Sequence, residues 1–387
     1  MTEQIVTHQF TPFEKDLGGW LNIDFEDMSR YVNDSALGMR NRVINGDMRI
    51  DQRFAGAAIA AAANGAYTLD RWTIERAGAL VCTVEQVEDA PSTTGLYQSM
   101  KCTVTTADAA LAAGDYFTIS QKVEGYTVSD FAFGTAAAFT CTLSFYVKSS
   151  VAGIYSGSLR NSAANRSYPF HYAIDTANTW EKKSVVITGD TGGAWLRTTG
   201  IGVTLFFTLF VGSTFTGTGN TWAAANYLGT SDQNTTWAAT TTNTFNLTGV
   251  QLEKGSIPSP FQIRSLDQEL RLCQRYFWKT FNHDVAIAQN TGSSAGLLFH
   301  RVQVGGALLN YAEKIVFPVT MRTAPTITFY NPNAANALAR NVSAGTDSGA
   351  VTAQAAGHSG FAADYGQAAG DAAAHGIVVH ASADAEL

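Results

Sequence analysis

From about residue 40 to residue 261 apolar and polar positions alternate in short runs, broken by Gly, Asn, Asp and Ser. The runs 116–123, 140–148, 183–188, 202–212 and 244–253 are dominated by β-branched and aromatic residues, with turn residues between them. Period-two alternation of that composition predicts strands. Many short strands without long intervening helices predict an antiparallel sandwich or barrel. A two-sheet jelly roll disposes of so many strands with few exposed edges.

The period changes once. Ser265-Leu266-Asp267-Gln268 reads as a capping box. Leu266, Leu270, Cys273 and Phe277 then recur on one helical face, and Asp267 and Arg271 stand in a favourable i, i+4 relation. These features predict a single linking helix over 265–279, between a jelly-roll domain (40–264) and a smaller C-terminal β domain (280–387). In the latter, 297–304, 314–319 and 326–330 read as strands. Beyond Asn333, Ala supplies 19 of the last 54 residues, yet Gly, Ser, Asn and Asp interrupt every helical run. Thin loops and strands packed close to a symmetry axis are therefore expected there.

Residues 1–39 differ from the rest. They carry seven acids against Lys15 and Arg30, which accounts for most of the chain's net charge of −7. Phe25, Met28 and Val32 are spaced for a short amphipathic helix over 24–35. A segment this short buries no core of its own, so it is read as an attachment segment that orders on a partner.

Composition narrows the function. With 11% aromatic and only 15% charged residues the chain does not have a disordered composition. A net negative charge without a basic stripe argues against a nucleic-acid partner. The longest apolar stretch, 201–212, falls well short of the roughly 20 residues that a membrane helix needs. No basic region followed by an apolar run opens the chain, so synthesis in a cytoplasm without membrane insertion is expected. Cys82, Cys102, Cys141 and Cys273 lack metal or redox spacing and are read as buried free thiols.

Candidate chemistry is sparse. The acids Asp70, Glu75, Glu124, Asp175, Glu181 and Glu253 form no recognisable catalytic motif, and no GxSxG, HExxH or phosphate-loop pattern occurs. The stretch 189–193 is Gly-rich but lacks the lysine of a phosphate loop and reads as a hairpin turn. His358, His375 and His380 lie near Asp364 and Asp371 without ligand spacing. Neither a catalytic residue, a metal nor a cofactor is expected. The segment 215–242 holds more promise, because Trp222, Tyr227 and Trp237 stand among Asn226, Asp232 and Asn234. Sugars stack their C–H face on a flat ring while amides and carboxylates take the hydroxyls, so these six residues form a candidate carbohydrate site. Tyr330, His358, Phe361 and Tyr365 form a second candidate in the C-terminal region, on the premise that binding loops sit on a rigid β support.

Two separated motifs carry a resemblance. Arg42-Val43-Ile44-Asn45-Gly46-Asp47-Met48-Arg49-Ile50-Asp51-Gln52-Arg53, followed by Tyr67 to Trp72, resembles the opening of the carbohydrate-binding-like jelly-roll domain of bacteriophage tail fibres. Gly249 to Gly255, Pro260-Phe261, Arg264 and Glu269 to Phe277 resemble its closing signature. Both motifs look structural: Asp70, Arg71 and Trp72 as a buried corner, Glu253 as a hydrogen-bonding acid. The resemblance implies a homotrimeric receptor-binding fibre or spike on a virion. Residues 1–39 would then dock to a tail or adaptor protein, and the other end would meet a bacterial surface polysaccharide. Binding, rather than catalysis, is the expected work. The alternatives are a capsid-decorating fibre, a structural connector without receptor binding, and a polysaccharide depolymerase spike.

Overall fold

The computed structural model describes residues 39–233, 236–292, 295–301, 312–366, 372 and 374–387. The alternating runs form strands: β1 Ile59–Ala60, β2 Ala66–Tyr67, β3 Trp72–Ala77, β4 Val81–Val87, β5 Ser99–Thr106, β6 Tyr116–Glu124 and β7 Cys141–Ser149. They continue as β8 Gly153–Arg160, β9 Ser167–Ile174, β10 Glu181–Ile187, β11 Ile201–Val211, β12 Thr216–Gly217, β13 Gly229–Thr230 and β14 Thr244–Lys254. One antiparallel sheet has the order β1-β4-β5-β14-β7-β10 and the other β2-β3-β6-β11-β8-β9. Their apolar faces meet as a jelly-roll sandwich. Trp72, Ile74, Phe117, Ile119, Leu205 and Phe207 of the second sheet pack in one core with Cys82, Val84, Cys102, Phe145 and Leu247 of the first. Each such side chain contributes about 1.5–3 kcal/mol on burial. All four cysteines are free and buried, as their spacing led one to expect.

The two separated motifs prove to be halves of one buried knot. Asn45 takes a left-handed backbone (φ 55°), a conformation that asparagine tolerates better than most residues. Its side chain donates to the carbonyls of Ile50 and Asp70 and accepts from Ile50 N–H. Trp72 Nε1 donates to the Asn45 carbonyl at 2.9 Å. A Cβ at Gly46 would stand 2.2 Å from the Val250 carbonyl oxygen, so only glycine lets the opening motif lie against β14. From the closing motif, Glu269 accepts from Asn45 N–H. Arg264 donates to Glu269 and to the carbonyls of Val43 and Asn41. Asp70 is fully buried and accepts from the Gln52 backbone at 2.9 Å. Glu253 accepts from Ser259 N–H at 2.8 Å and Gln251 Nε2 at 2.9 Å.

The linking helix α1, Leu266–Gln274, is capped as expected by Ser265, whose hydroxyl accepts from Gln268 N–H. Asp267 and Arg271 pair at 3.0 Å. The helix is shorter than its sequence pattern: Phe277 leaves the helical face to open β15, Phe277–Lys279, which pairs with residues 382–384. The remaining strands are β16 Leu298–Arg301, β17 Ala312–Val316, β18 Thr326–Tyr330, β19 Leu338–Asn341, β20 Thr346–Gly357, β21 Gly360–Tyr365 and β22 Gly376–Asp384. They form the small C-terminal β region, with β22 at its centre. The first half of β22 pairs β16 and β19, and its second half pairs β15 and β18. Ala339, Ala363, Ala381, Ala383 and Ala385 are buried by their own chain, which accounts for part of the alanine-rich composition.

The chain divides into Met1–Arg40 and a unit Asn41–Leu387; the helix expected over 24–35 lies outside the described residues. Within the larger unit the end of β22 and the residues after it return to the sandwich. Arg71 pairs with Glu386, Arg53 with Asp384 at 2.9 Å, and Arg322 donates to the Glu386 carbonyl at 2.6 Å. The Arg71 guanidinium lies 3.5 Å from the Tyr276 ring centre.

Candidate functional site

Side chains along a strand alternate between faces, so the register of the second sheet lays out its outer surface in rows. One row reads Glu75, Thr118, Thr208, Ser156 and His171 across β3, β6, β11, β8 and β9. The next reads Thr73, Ser120, Phe206 and Ser158, and a third reads Lys122, Thr204 and Arg160. Hydroxyl side chains thus floor the face, with charged groups towards its margins. Thr73 and Ser120 share a 2.7 Å hydrogen bond, and the Ser120 hydroxyl donates to Glu75 at 3.3 Å.

The segment between β11 and β14 crosses this face and closes one side of it. Ala223 bridges to Ser167 of β9, and the Ser167 hydroxyl donates to the Ala225 carbonyl at 2.7 Å. Thr208 Oγ1 donates to the Leu228 carbonyl, and Gln233 Nε2 donates to the Thr208 carbonyl at 2.8 Å. Gly229 permits this close approach, since a Cβ there would lie 2.2 Å from Ser156 Oγ. Leu228 and Val211 cover Phe206, which explains why the outward-facing as well as the inward-facing residues of β11 are buried.

What remains is a half-buried rim of Glu75, Tyr116, Lys122, Arg160, Asn226 and Tyr227. The Arg160 guanidinium carbon lies 4.6 Å from the Phe206 ring centre, and its Nη1 donates to Asn226 Oδ1 at 2.7 Å. Burial holds Arg160 below its ordinary range, while Glu75 and Tyr116 act in the opposite direction. Burial raises the Tyr116 phenol, and Glu75 adds to that rise. Tyr116 packs edge-on to Phe215 at 5.2 Å. Beyond the row of hydroxyls, His171 Nδ1 lies 3.1 Å from Asp232 Oδ2, both side chains being largely exposed. The arrangement offers aromatic surface, a carboxylate, a guanidinium and an amide at the margin of the face, whose rows of hydroxyls are themselves buried.

The structure brings Asn226, Tyr227 and Asp232 to this face and sends their supposed partners elsewhere. Trp222 joins Phe133, Tyr168 and Trp195 in an aromatic cluster, with ring separations of 5.1–5.7 Å, and its Nε1 donates to the Thr188 carbonyl. Trp237 requires correction as a sugar-binding residue: it is 0% exposed in the sandwich core, its Nε1 held by the Thr244 carbonyl, so neither ring face is open to a ligand. Asn234 lies outside the described residues.

The second candidate group does not converge. Phe361 and Tyr365 are buried on the inward face of β21 and are corrected to core residues. Tyr330 faces the other way, with its hydroxyl 2.9 Å from Ser382 Oγ and its ring edge-on to Phe281. His358 is exposed in the turn between β20 and β21. Tyr116 and Arg160 escaped the sequence reading, and Glu75 entered it only as an acid without a catalytic motif, although the polar outward positions of β3, β6 and β8 were a visible signal. Among the described residues, no group of three or more His, Cys, Asp or Glu side chains is placed to hold a metal ion.

No family model and no curated protein sequence matches the chain. Among solved structures it is similar in part to the enzymatically active domain of tailspike protein 4 of bacteriophage CBA120, with a TM-score of 0.31 and 13% identity. That match covers 56% of this chain and 22% of the tailspike chain. TmCBM61 in complex with β-1,4-galactotriose gives a TM-score of 0.28 and 11% identity, over 56% of this chain and 100% of that one. The family 11 carbohydrate-binding module from Clostridium thermocellum, in complex with a β-1,3-1,4-mixed-linked tetrasaccharide, gives 0.27 and 11%, over 51% and 96%. None of these places the chain in a family.

Proposed function

We propose that the protein binds a glycan over the outer face of the second sheet. The observation that carries this reading is the rim itself: Tyr116 and Tyr227 supply ring surface, while Glu75, Arg160 and Asn226 supply polar anchors. That combination suits a ligand with apolar C–H faces and many hydroxyls. The motif resemblance extends the proposal to a homotrimeric fibre or spike, joined to a virion tail or adaptor through residues 1–39 and bound to a bacterial surface polysaccharide. Three sites acting together on a repeating polymer gain avidity that one shallow site lacks. The expected function is attachment. A binding assay on purified bacterial surface polysaccharides, with new reducing ends followed in the same reaction, tests it. Saturable binding without cleavage supports the reading, and release of reducing ends replaces it with a depolymerase.

A further inference from the structure

Among the described residues, Arg160 and Arg76 are half-buried arginines without an ion pair, but Arg76 donates to the carbonyls of Ala62 and Gly78, whereas Arg160 meets a neutral amide. Arg53, Arg71, Arg166, Arg264 and Arg275 each close onto a carboxylate, and Arg322 donates to three carbonyls. Among the described residues no carboxylate forms an ion pair with Arg160. Its recorded acceptor is the neutral Asn226 amide oxygen, and its Nε is buried without any hydrogen-bond partner. A guanidinium withdrawn from water in this way has lost hydration that a single amide does not restore. Phe206 beneath and Asn226 beside it fix the plane of the fork, and a pre-oriented guanidinium matches the two oxygens of a carboxylate. Lys122, in the same row two strands away, is already held by the Leu387 carbonyl at 3.1 Å, which leaves Arg160, among the described residues, as the cation of the rim without a backbone carbonyl or carboxylate acceptor.

Resting on the glycan-binding reading, we propose that the ligand is an acidic glycan, with Arg160 receiving the carboxylate of a uronic or sialic acid unit. Glu75, on β3, accepts from Ser120 and acts electrostatically on Arg160 without forming an ion pair with it.

The test uses the full chain and polygalacturonate, alginate and polysialic acid, each beside its carboxyl-reduced form. The wild type is expected to bind at least one acidic polymer roughly 10-fold or more tighter than its reduced form, as befits a charge-assisted hydrogen bond. Arg160→Gln is expected to bring that ratio to about one. Arg160→Lys, which keeps the charge but not the fork, is expected to retain part of the preference. Equal binding of acidic and reduced forms by the wild type overturns the assignment of an acid and leaves glycan binding standing. An unchanged preference in a folded Arg160→Gln protein overturns the role of Arg160. Binding of no polymer in either form overturns the glycan reading, and the acid assignment with it.

Discussion

Replacing Glu386 by Gln removes a carboxylate that faces a guanidinium almost wholly withdrawn from water. The side chains of Arg71 and Glu386 are 1% and 4% exposed, and the second nearby arginine, Arg53, lies 3.6 Å from Glu386. Breaking a buried pair from one side costs about 3–5 kcal/mol, because the remaining charge stays desolvated. Arg71 would keep its 2.5 Å bond to the Lys122 carbonyl and its contact with the Tyr276 ring, which places the expected loss near the lower end, at about 3 kcal/mol. Urea unfolding of the wild type, Glu386→Gln and the double variant Arg71→Met/Glu386→Leu measures it. The double variant is expected to recover at least half of the single-variant loss, since no charge is then left unpaired. A loss below about 1 kcal/mol in Glu386→Gln, the level of an exposed pair, would refute the reasoning. So would a double-variant loss as large as that of Glu386→Gln.

Two further outcomes follow from the core. Trp237→Ala is expected to lower stability by about 3–5 kcal/mol while leaving glycan binding per folded molecule unchanged, as titration at a temperature where both proteins remain folded would show. His380 is stacked on Phe281 at 3.8 Å, and burial lowers it to about 4. The native state then binds fewer protons than the unfolded chain between about pH 4 and 6.5, so this contribution is complete above pH 6.5 and is lost on acidification, up to about 3 kcal/mol. Asp70, raised to about 6 by burial, acts with the opposite sign in an overlapping window, so bulk acid stability is not the readout. The comparison is with His380→Phe: the wild type should lose about 2 kcal/mol more than the variant between pH 7 and 4.5, and parallel profiles would contradict the assignment.

Much of the fold was legible because it rests on local signals. Period-two alternation located the strands, and the Ser265 capping box located the helix start. The end of the helix was not legible, since Phe277 fits the helical spacing equally well and only pairing with Asp384 draws it into a strand. Long-range partners were likewise hidden: nothing near Arg71 in sequence points to Glu386, 315 residues away. At the candidate site, the Asn- and aromatic-rich segment was found, but its rings could not be sorted by composition. Trp237 lies in a short 3-10 turn that drives it into the core, whereas Tyr227 lies on the outer face of the second sheet. Glu75 and Arg160 come from strands far apart in sequence, and the sheet register alone places them on one face.

The most direct measurement is affinity for a panel of purified bacterial surface polysaccharides, compared among the intact wild type, Tyr227→Ala and Tyr97→Ala. Tyr97 is 60% exposed beside the first sheet and serves as the control for ring surface away from the candidate face. Tyr227→Ala is expected to weaken binding roughly 10-fold or more, about 1.4 kcal/mol, with Tyr97→Ala matching the wild type. Loss of binding in Tyr97→Ala with full affinity in Tyr227→Ala would contradict the placement of the glycan on the second sheet.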